Sequence, residues 1–417
     1  MRAITPPMGW NSWDCYGAAV NETTVRANAD YMAKHLKEYG WEYVVVDIQW
    51  SEPTAENHAY HPFAELEMDE YSRLIPAVNR FPSAKDGKGF APLAEYVHSL
   101  GLKFGIHIMR GIPRQAVHRN TDILGSDRTA RQIADCDSIC HWNTDMYGIN
   151  PDAEGAQAYY DSLFELYAQW QIDYVKVDDI ANHYPEAEIE MIYRAIEHCG
   201  REIVLSLSPG PAPLEKAEHL KQYANLWRIT DDFWDHWDQL YDMFHRAEVW
   251  CTHSGPGHWP DADMLPLGAI LQDYDPANRT KFTKDEQITM MTLWCMMRSP
   301  LMIGGEMTKN DDFTLRLLTN KDLLEMLFQA RSSHQVYKRT EQNVERIVWT
   351  AFREQGGHYL AVFNTGAEDA DISVSMDVCE IPAASEIYDI WEHASLSYQP
   401  ELTAHIPSHG AKVYRIV

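Results

Sequence analysis

Eight short apolar runs alternate with eight helix-length patterns over the first three quarters of the chain. This alternation constrains the fold more than any single motif does. The strand-length runs lie at residues 8–13, 43–49, 103–109, 174–178, 203–208, 226–230, 250–254 and 300–304. The helical patterns lie near residues 23–39, 90–100, 153–170, 185–199, 213–223, 235–247, 284–298 and 310–319. Runs as continuously apolar as Val44-Val45-Val46 suit parallel strands covered on both faces. Eight strands, each followed by a helix, predict an α/β fold of the (β/α)8 TIM-barrel type. A doubly wound sheet shares the alternation, but here the count stops at eight and no glycine-rich phosphate turn follows the first strand. After about residue 332 the pattern changes to short strands without helices between them, at 344–352, 358–364, 371–376, 385–389, 394–398 and 411–416. These predict an antiparallel β-sandwich. The expected division is a barrel over residues 1–331 and a sandwich over 332–417.

Two of the barrel runs end in acid. Tyr174-Val175-Lys176-Val177-Asp178-Asp179 and Trp227-Arg228-Ile229-Thr230-Asp231-Asp232 each carry a cation a few residues before a carboxylate pair. Strand side chains alternate, so Lys176 and Asp178 share one face, and Arg228, Thr230 and Asp232 share another. On the interior face, the Lys176 ammonium would favour the ionised form of Asp178. The acids are two βα units apart, and the active sites of barrels form at the C-terminal ends of the strands. Two carboxylates aimed at one substrate atom are what a glycosidase needs. The competing reading makes each Asp a cap on the following helix, and parity alone does not choose between Asp231 and Asp232. The longest insertions, residues 51–89 and 110–150, follow barrel strands and are expected to wall the pocket.

Composition narrows the partners. A net charge of −27 argues against nucleic acid or an anionic membrane surface. No stretch is long enough to span a bilayer, and the N-terminal residues carry no apolar signal run. The seven cysteines are loosely spaced, and Cys136 and Cys140 lack a second pair with which to bind zinc. A reducing cytoplasm is the expected compartment.

Several motifs in order resemble glycoside hydrolase family 27, the α-galactosidase family. They are Met8-Gly9-Trp10-Asn11-Ser12-Trp13, Val46-Asp47-Ile48-Gln49-Trp50, Lys176-Val177-Asp178, Arg228-Ile229-Thr230-Asp231-Asp232, the segment from Gly255 to Leu265, and the segment from Leu293 to Leu301. The resemblance implies a retaining exo-glycosidase with Asp178 as nucleophile and Asp232 as acid/base, needing no cofactor and no metal. It also implies that Trp13 is an aromatic floor under the sugar, that Lys176 and Arg228 hold ring hydroxyls, and that Asp263 is an acid at the pocket rim. A structural ion pair competes for Lys176 and Arg228, and a helix cap for Asp263.

Departures from the family point to the sugar. Many members carry two adjacent acids where this chain has Asp47 and Ile48, and those acids read the O4/O6 edge of galactose. Isoleucine cannot accept a hydrogen bond from O6, which would cost about 1–3 kcal/mol. L-Arabinopyranose has the galactose ring configuration without C6, so terminal β-L-arabinopyranosides are the expected substrates. Terminal α-D-galactosides are the alternative, and a non-catalytic sugar-binding barrel is a remote third reading. His107 stands where many members have Tyr, and Ser208 where many have Glu. Ile180 replaces a cysteine of an active-site disulfide found in secreted members. Strict alternation would turn Ile48 away from Asp47, as a core residue. A glycoside or oligosaccharide is the expected partner, and residues 266–283 with the sandwich offer surfaces for a homo-oligomer.

Overall fold

The computed structural model describes residues 2–341 and 344–417. Its centre is an eight-stranded parallel sheet: β1 (Met8–Asn11), β2 (Tyr43–Val46), β3 (Lys103–Met109), β4 (Tyr174–Asp178), β5 (Val204–Leu207), β6 (Leu226–Arg228), β7 (Trp259–Asp261) and β8 (Leu301–Ile303). The strands follow one another in chain order, and β1 also pairs with β8. Between β7 and β8 the sheet closes through Leu265, whose N–H donates to Met302 O and whose carbonyl accepts from Gly304 N–H.

Alternation along the strands divides the barrel into two cores. Val44 and Val46, Val175 and Val177, and Leu205 and Leu207 point outward into the large core beneath the helices. Tyr43, Val45, Tyr174, Val204, Leu226, Trp259 and Met302 fill the interior as a separate cluster. Gly9 and Gly105 make room for the interior tyrosines. A Cβ on Gly9 would lie 2.5 Å from Tyr43 O, and one on Gly105 would lie 2.9 Å from Tyr174 Cβ. Above this layer the inward positions become polar.

Seven of the eight expected strands are present near their expected positions. The seventh is displaced. Residues 250–254 are the end of helix Trp237–Trp250 and a short 3-10 turn, Cys251–His253, while the strand is Trp259–Asp261. Pro260 hid it, because proline in a short run reads as a breaker. Here proline is tolerated, because β7 forms its parallel ladder only with β6, and the contact to β8 comes later, at Leu265. The 110–150 insertion is not wholly irregular: Ile112–Pro113, Ala134–Ile139 and Met146–Ile149 form a small antiparallel sheet.

The C-terminal region contains β9 (Ala330–Glu341), β10 (Val344–Arg353), β11 (His358–Asn364), β12 (Ala370–Ser375), β13 (Ile387–Asp389), β14 (Ala394–Leu396), β15 (Glu401–Ile406) and β16 (Ala411–Ile416). Six of them form one sheet, in the order β9-β10-β11-β16-β13-β14, and β12 pairs with β15 to form a second. Val348, Leu360, Val362, Ile372, Val374 and Ile406 pack between the sheets. Trp349, Ala361 and Phe363, on the other face of the larger sheet, join the barrel core. β9 and β15 were not expected, because both are largely polar strands. No helix among the described residues is long and apolar enough to cross a membrane, and all seven cysteines are free thiols.

Gly9→Ala is expected to lose stability, since its methyl group would have to displace the Tyr43 backbone. A loss of about 1–3 kcal/mol in chemical denaturation would agree with the interior packing, and an unchanged midpoint would contradict it.

Candidate active site

Barrel strands deliver the charged residues to one end, and the backbone turns sharply where it leaves three of the strands. Gln49 (φ 68°), Asp179 (φ 56°) and Asp263 (φ 78°) all adopt positive φ where the chain leaves β2, β4 and β7. A cavity of about 320 Å³ at this end is lined by Trp13, Asp47, Tyr60, Trp142, Lys176, Asp178, Pro209, Asp231 and Asp232. Asp178 and Asp232 therefore open into the same space.

Asp178 is held on both oxygens. His107 Nε2 donates to Oδ2 at 2.8 Å, and the Asp179 N–H donates to Oδ1 at 2.8 Å. Burial alone would push this carboxyl up, but the His107 bond and the nearby charges of His107 and Lys176 bring it below the usual carboxylate range. Lys176 was expected to sit beside Asp178. Its ion pair is instead with Asp47, at 3.0 Å, and it acts on Asp178 only through its field.

Asp47 also accepts from Asn11 Nδ2 and the Ile48 N–H, each at 2.8 Å. Burial opposes its charge, yet Lys176, His107 and these donors hold it well below the ordinary value. Lys176, desolvated but facing Asp47 and Asp178, is correspondingly raised.

Of the paired acids, neither spare member caps the following helix. Asp179 is buried in an ion pair with Arg110 at 3.0 Å, and Arg110 also pairs with Glu188. Asp231 Oδ1 accepts the Asp232 N–H at 2.9 Å, which turns the Asp232 side chain towards Arg228, 3.2 Å away. Asp232 remains 58% exposed while the Arg228 side chain is 3% exposed, so the acid is free to meet a ligand on its open side.

Arg228, Asp263, His107, Ser208 and Ile48 lie one layer beneath the cavity surface. Asp263, expected at the rim, is buried. Its carboxylate pairs with Arg228 at 2.7 Å and accepts the Phe233 N–H at 2.7 Å. Burial raises this carboxyl and Arg228 opposes the rise. The Ser208 hydroxyl turns towards Val177 O at 3.4 Å, and the next residue, Pro209, faces the cavity. Ile48 belongs to an apolar cluster with Met109, Cys140 and Met146, against which Trp13, Tyr60 and Trp142 pack. β2 ends at Val46, so strict alternation no longer separates Asp47 from Ile48. Ile48 thus backs the aromatic wall of the cavity.

Of that wall, Trp13 was expected from its motif, while Tyr60 and Trp142 were not. Tyr60 stacks on Trp13 (5.8 Å between centroids, 9° between planes) and meets Trp142 at 5.4 Å. Burial, together with the charges of Asp178, Asp47 and Asp232, pushes the Tyr60 hydroxyl far up, so it remains a neutral donor. The signal in the sequence was the length of the two insertions, which supply Tyr60 and Trp142.

A barrel whose strand ends bring two carboxylates and an aromatic platform to one small cavity has the architecture of a two-carboxylate glycosidase. Comparison with known proteins agrees. Residues 5–151 and 145–327 match the family model of alpha galactosidase A, and residues 344–416 match the alpha galactosidase C-terminal beta sandwich domain. A GH27 β-L-arabinopyranosidase of Geobacillus stearothermophilus is 56% identical, with 99% of this chain and 96% of that one covered and a TM-score of 0.96. A variant of that enzyme is known in complex with arabinose. A putative alpha-N-acetylgalactosaminidase of Bacillus halodurans is 54% identical, with 100% and 98% coverage and a TM-score of 0.88. Alpha-galactosidase 2 of Arabidopsis thaliana is 25% identical over 99% of this chain and 90% of its own length. The chain belongs to glycoside hydrolase family 27.

Removing one partner of the buried Asp47–Lys176 pair strands the other, so Lys176→Met is expected to cost about 3–5 kcal/mol at neutral pH. Asp47 and Asp178 are depressed in the folded state. Their contribution is therefore present above the unfolded value of about 3.9 and is lost as pH falls through their lower folded values. The difference between the wild type and Lys176→Met should accordingly shrink in acid. Denaturation at several pH values checks this, and a constant difference would assign the loss to packing.

Proposed function

We propose that this glycoside hydrolase releases terminal β-L-arabinopyranose with retention of configuration. The observation that carries the sugar assignment is Ile48, an apolar side chain next to the hydrogen-bonding Asp47 and behind the cavity's aromatic wall. Asp47 and Lys176 can read ring hydroxyls, while Ile48 offers no partner to a C6 hydroxyl. The similarity to an arabinopyranosidase at 56% identity supports the same reading. The cavity, about 320 Å³, lies at the low end of small-ligand sites, which suits one terminal pyranose.

In the first step an Asp178 oxygen bonds to the anomeric carbon as the glycosidic C–O bond breaks. Asp232 gives its proton to the departing oxygen, and Arg228 accommodates the negative charge this leaves. Asp178 is suited to attack because each of its oxygens has one hydrogen-bond donor and keeps a lone pair. Bonding to the sugar neutralises Asp178. In the second step water attacks the same carbon, Asp232 takes its proton, and Asp178 departs as carboxylate. Trp13 supplies an apolar face for the ring.

The second reading is hydrolysis of terminal α-D-galactosides. It is favoured by the placement of Ile48 behind the cavity's lining residues, where Ile48 sets no direct bar to a C6 hydroxyl. Paired kinetics on 4-nitrophenyl β-L-arabinopyranoside and α-D-galactopyranoside separate the two. The arabinoside is expected to give the higher kcat/KM, and a higher value on the galactoside would reject the assignment. Ile48→Asp should move the ratio towards galactose by about 10–200-fold; an unmoved ratio would remove Ile48 from specificity. Asp178→Asn should abolish turnover of both substrates, and retained turnover would displace Asp178 as the nucleophile.

A further inference from the structure

Three loops meet at one histidine beside the cavity. His58, from the insertion after β2, contacts the Trp13 carbonyl through Nε2 at 2.7 Å and Asp273 through Nδ1 at 2.7 Å. Its ring meets Trp13 edge-on at 4.9 Å. Tyr274, next to Asp273, stacks on the His58 ring at 5.5 Å and 20°, and Trp234 approaches the same ring at 6.0 Å. The loop bearing Trp234 is tied to the loop bearing Tyr274, because the Lys281 N–H donates to Asp235 Oδ2 at 2.6 Å and Phe233 packs on Phe282 at 6.0 Å. The arrangement is built, yet Tyr274 is 60% exposed. One face of its ring is taken by His58, and the ring is otherwise largely open.

The location gives that exposed ring a use. Trp234 is two residues beyond Asp232, the group assigned above to protonate the departing oxygen. His58 packs on Trp13, which lines the cavity together with Asp232, and Trp234 and Tyr274 meet that same histidine, so a group attached to the departing oxygen would leave the cavity next to this cluster. An exposed tyrosine ring held flat by a stacked histidine can pack on the C–H face of a sugar, with its hydroxyl available to that sugar's own hydroxyls. We propose that Tyr274, supported by His58 and Trp234, is the binding site for the leaving group, and that it takes a second sugar ring. The natural substrate would then be an oligosaccharide rather than a glycoside with a small aglycone. This rests on the assignment of Asp232 as the proton donor, and does not depend on which terminal sugar fills the cavity.

The test compares a disaccharide with a methyl glycoside of the same terminal sugar, using whichever of L-arabinopyranose or D-galactose the unsubstituted enzyme hydrolyses faster. The readout is the ratio of the two kcat/KM values in the wild type, Tyr274→Ala and Tyr274→Phe. Tyr274→Ala is expected to lower the disaccharide-to-methyl ratio about five- to tenfold, the scale of one aromatic contact. Tyr274→Phe should retain most of the ratio, because it keeps the stacking face. An unchanged ratio in Tyr274→Ala would overturn the proposal, even if both activities fell together, since a parallel fall would mean only that the ring supports Trp13. Preference for galactosides would reject the proposed terminal sugar while leaving the Tyr274 ratio a valid test.

Discussion

The mouth of the barrel depends on a buried exchange of charge between Asp47 and Lys176. Neither group could be placed there alone, because each would shed its charge or unfold its surroundings. Together they fix the ends of β2 and β4, and their neighbours extend the pattern. His107 is bonded to Asp178, and Arg228 lies between Asp232 and Asp263. His107 and Arg228 are thus deeper than the acids they hold, whereas Asp47 and Lys176 both reach the cavity lining.

The same arrangement separates the two carboxylates by environment. Asp178 is 14% exposed and bonded on both oxygens, whereas Asp232 is 58% exposed and touches one guanidinium from the side. Under the roles proposed above, the buried, doubly bonded carboxylate suits the nucleophile and the open one suits the proton donor. Such asymmetry between neighbouring acids is how a single site assigns different work to chemically identical groups.

Much of this was legible from the chain because barrel strands are short, apolar and regularly spaced. Lys176, Asp178, Arg228 and Asp232 could be placed by alternation and by their position at strand ends, and the cavity brings Lys176, Asp178 and Asp232 together. The errors have local causes. Pro260 disguised β7, and the polar sequences of β9 and β15 carried no apolar alternation. Lys176 has at least three carboxylates within its field, Asp47, Asp178 and Asp263, and spacing along one strand could not reveal that the partner from β2 would win the contact. Tyr60, Trp142 and His58 lie in long loops, whose paths depend on packing against one another rather than on any periodic pattern. Their presence near a site was foreseeable from loop length, but their identities were not.

The break after β7 gives the barrel an unequal perimeter. Seven neighbouring strand pairs share ladders, while β7 and β8 meet only where Leu265 touches Ile303. The backbone released by that interruption is what directs Asp263 under Arg228. The ring of strands therefore behaves less like a hoop than like a strap fastened by one buckle, and the fastening lies beside the residue pair that steadies Asp232. What holds Asp263 in place there also positions Arg228, and through it Asp232.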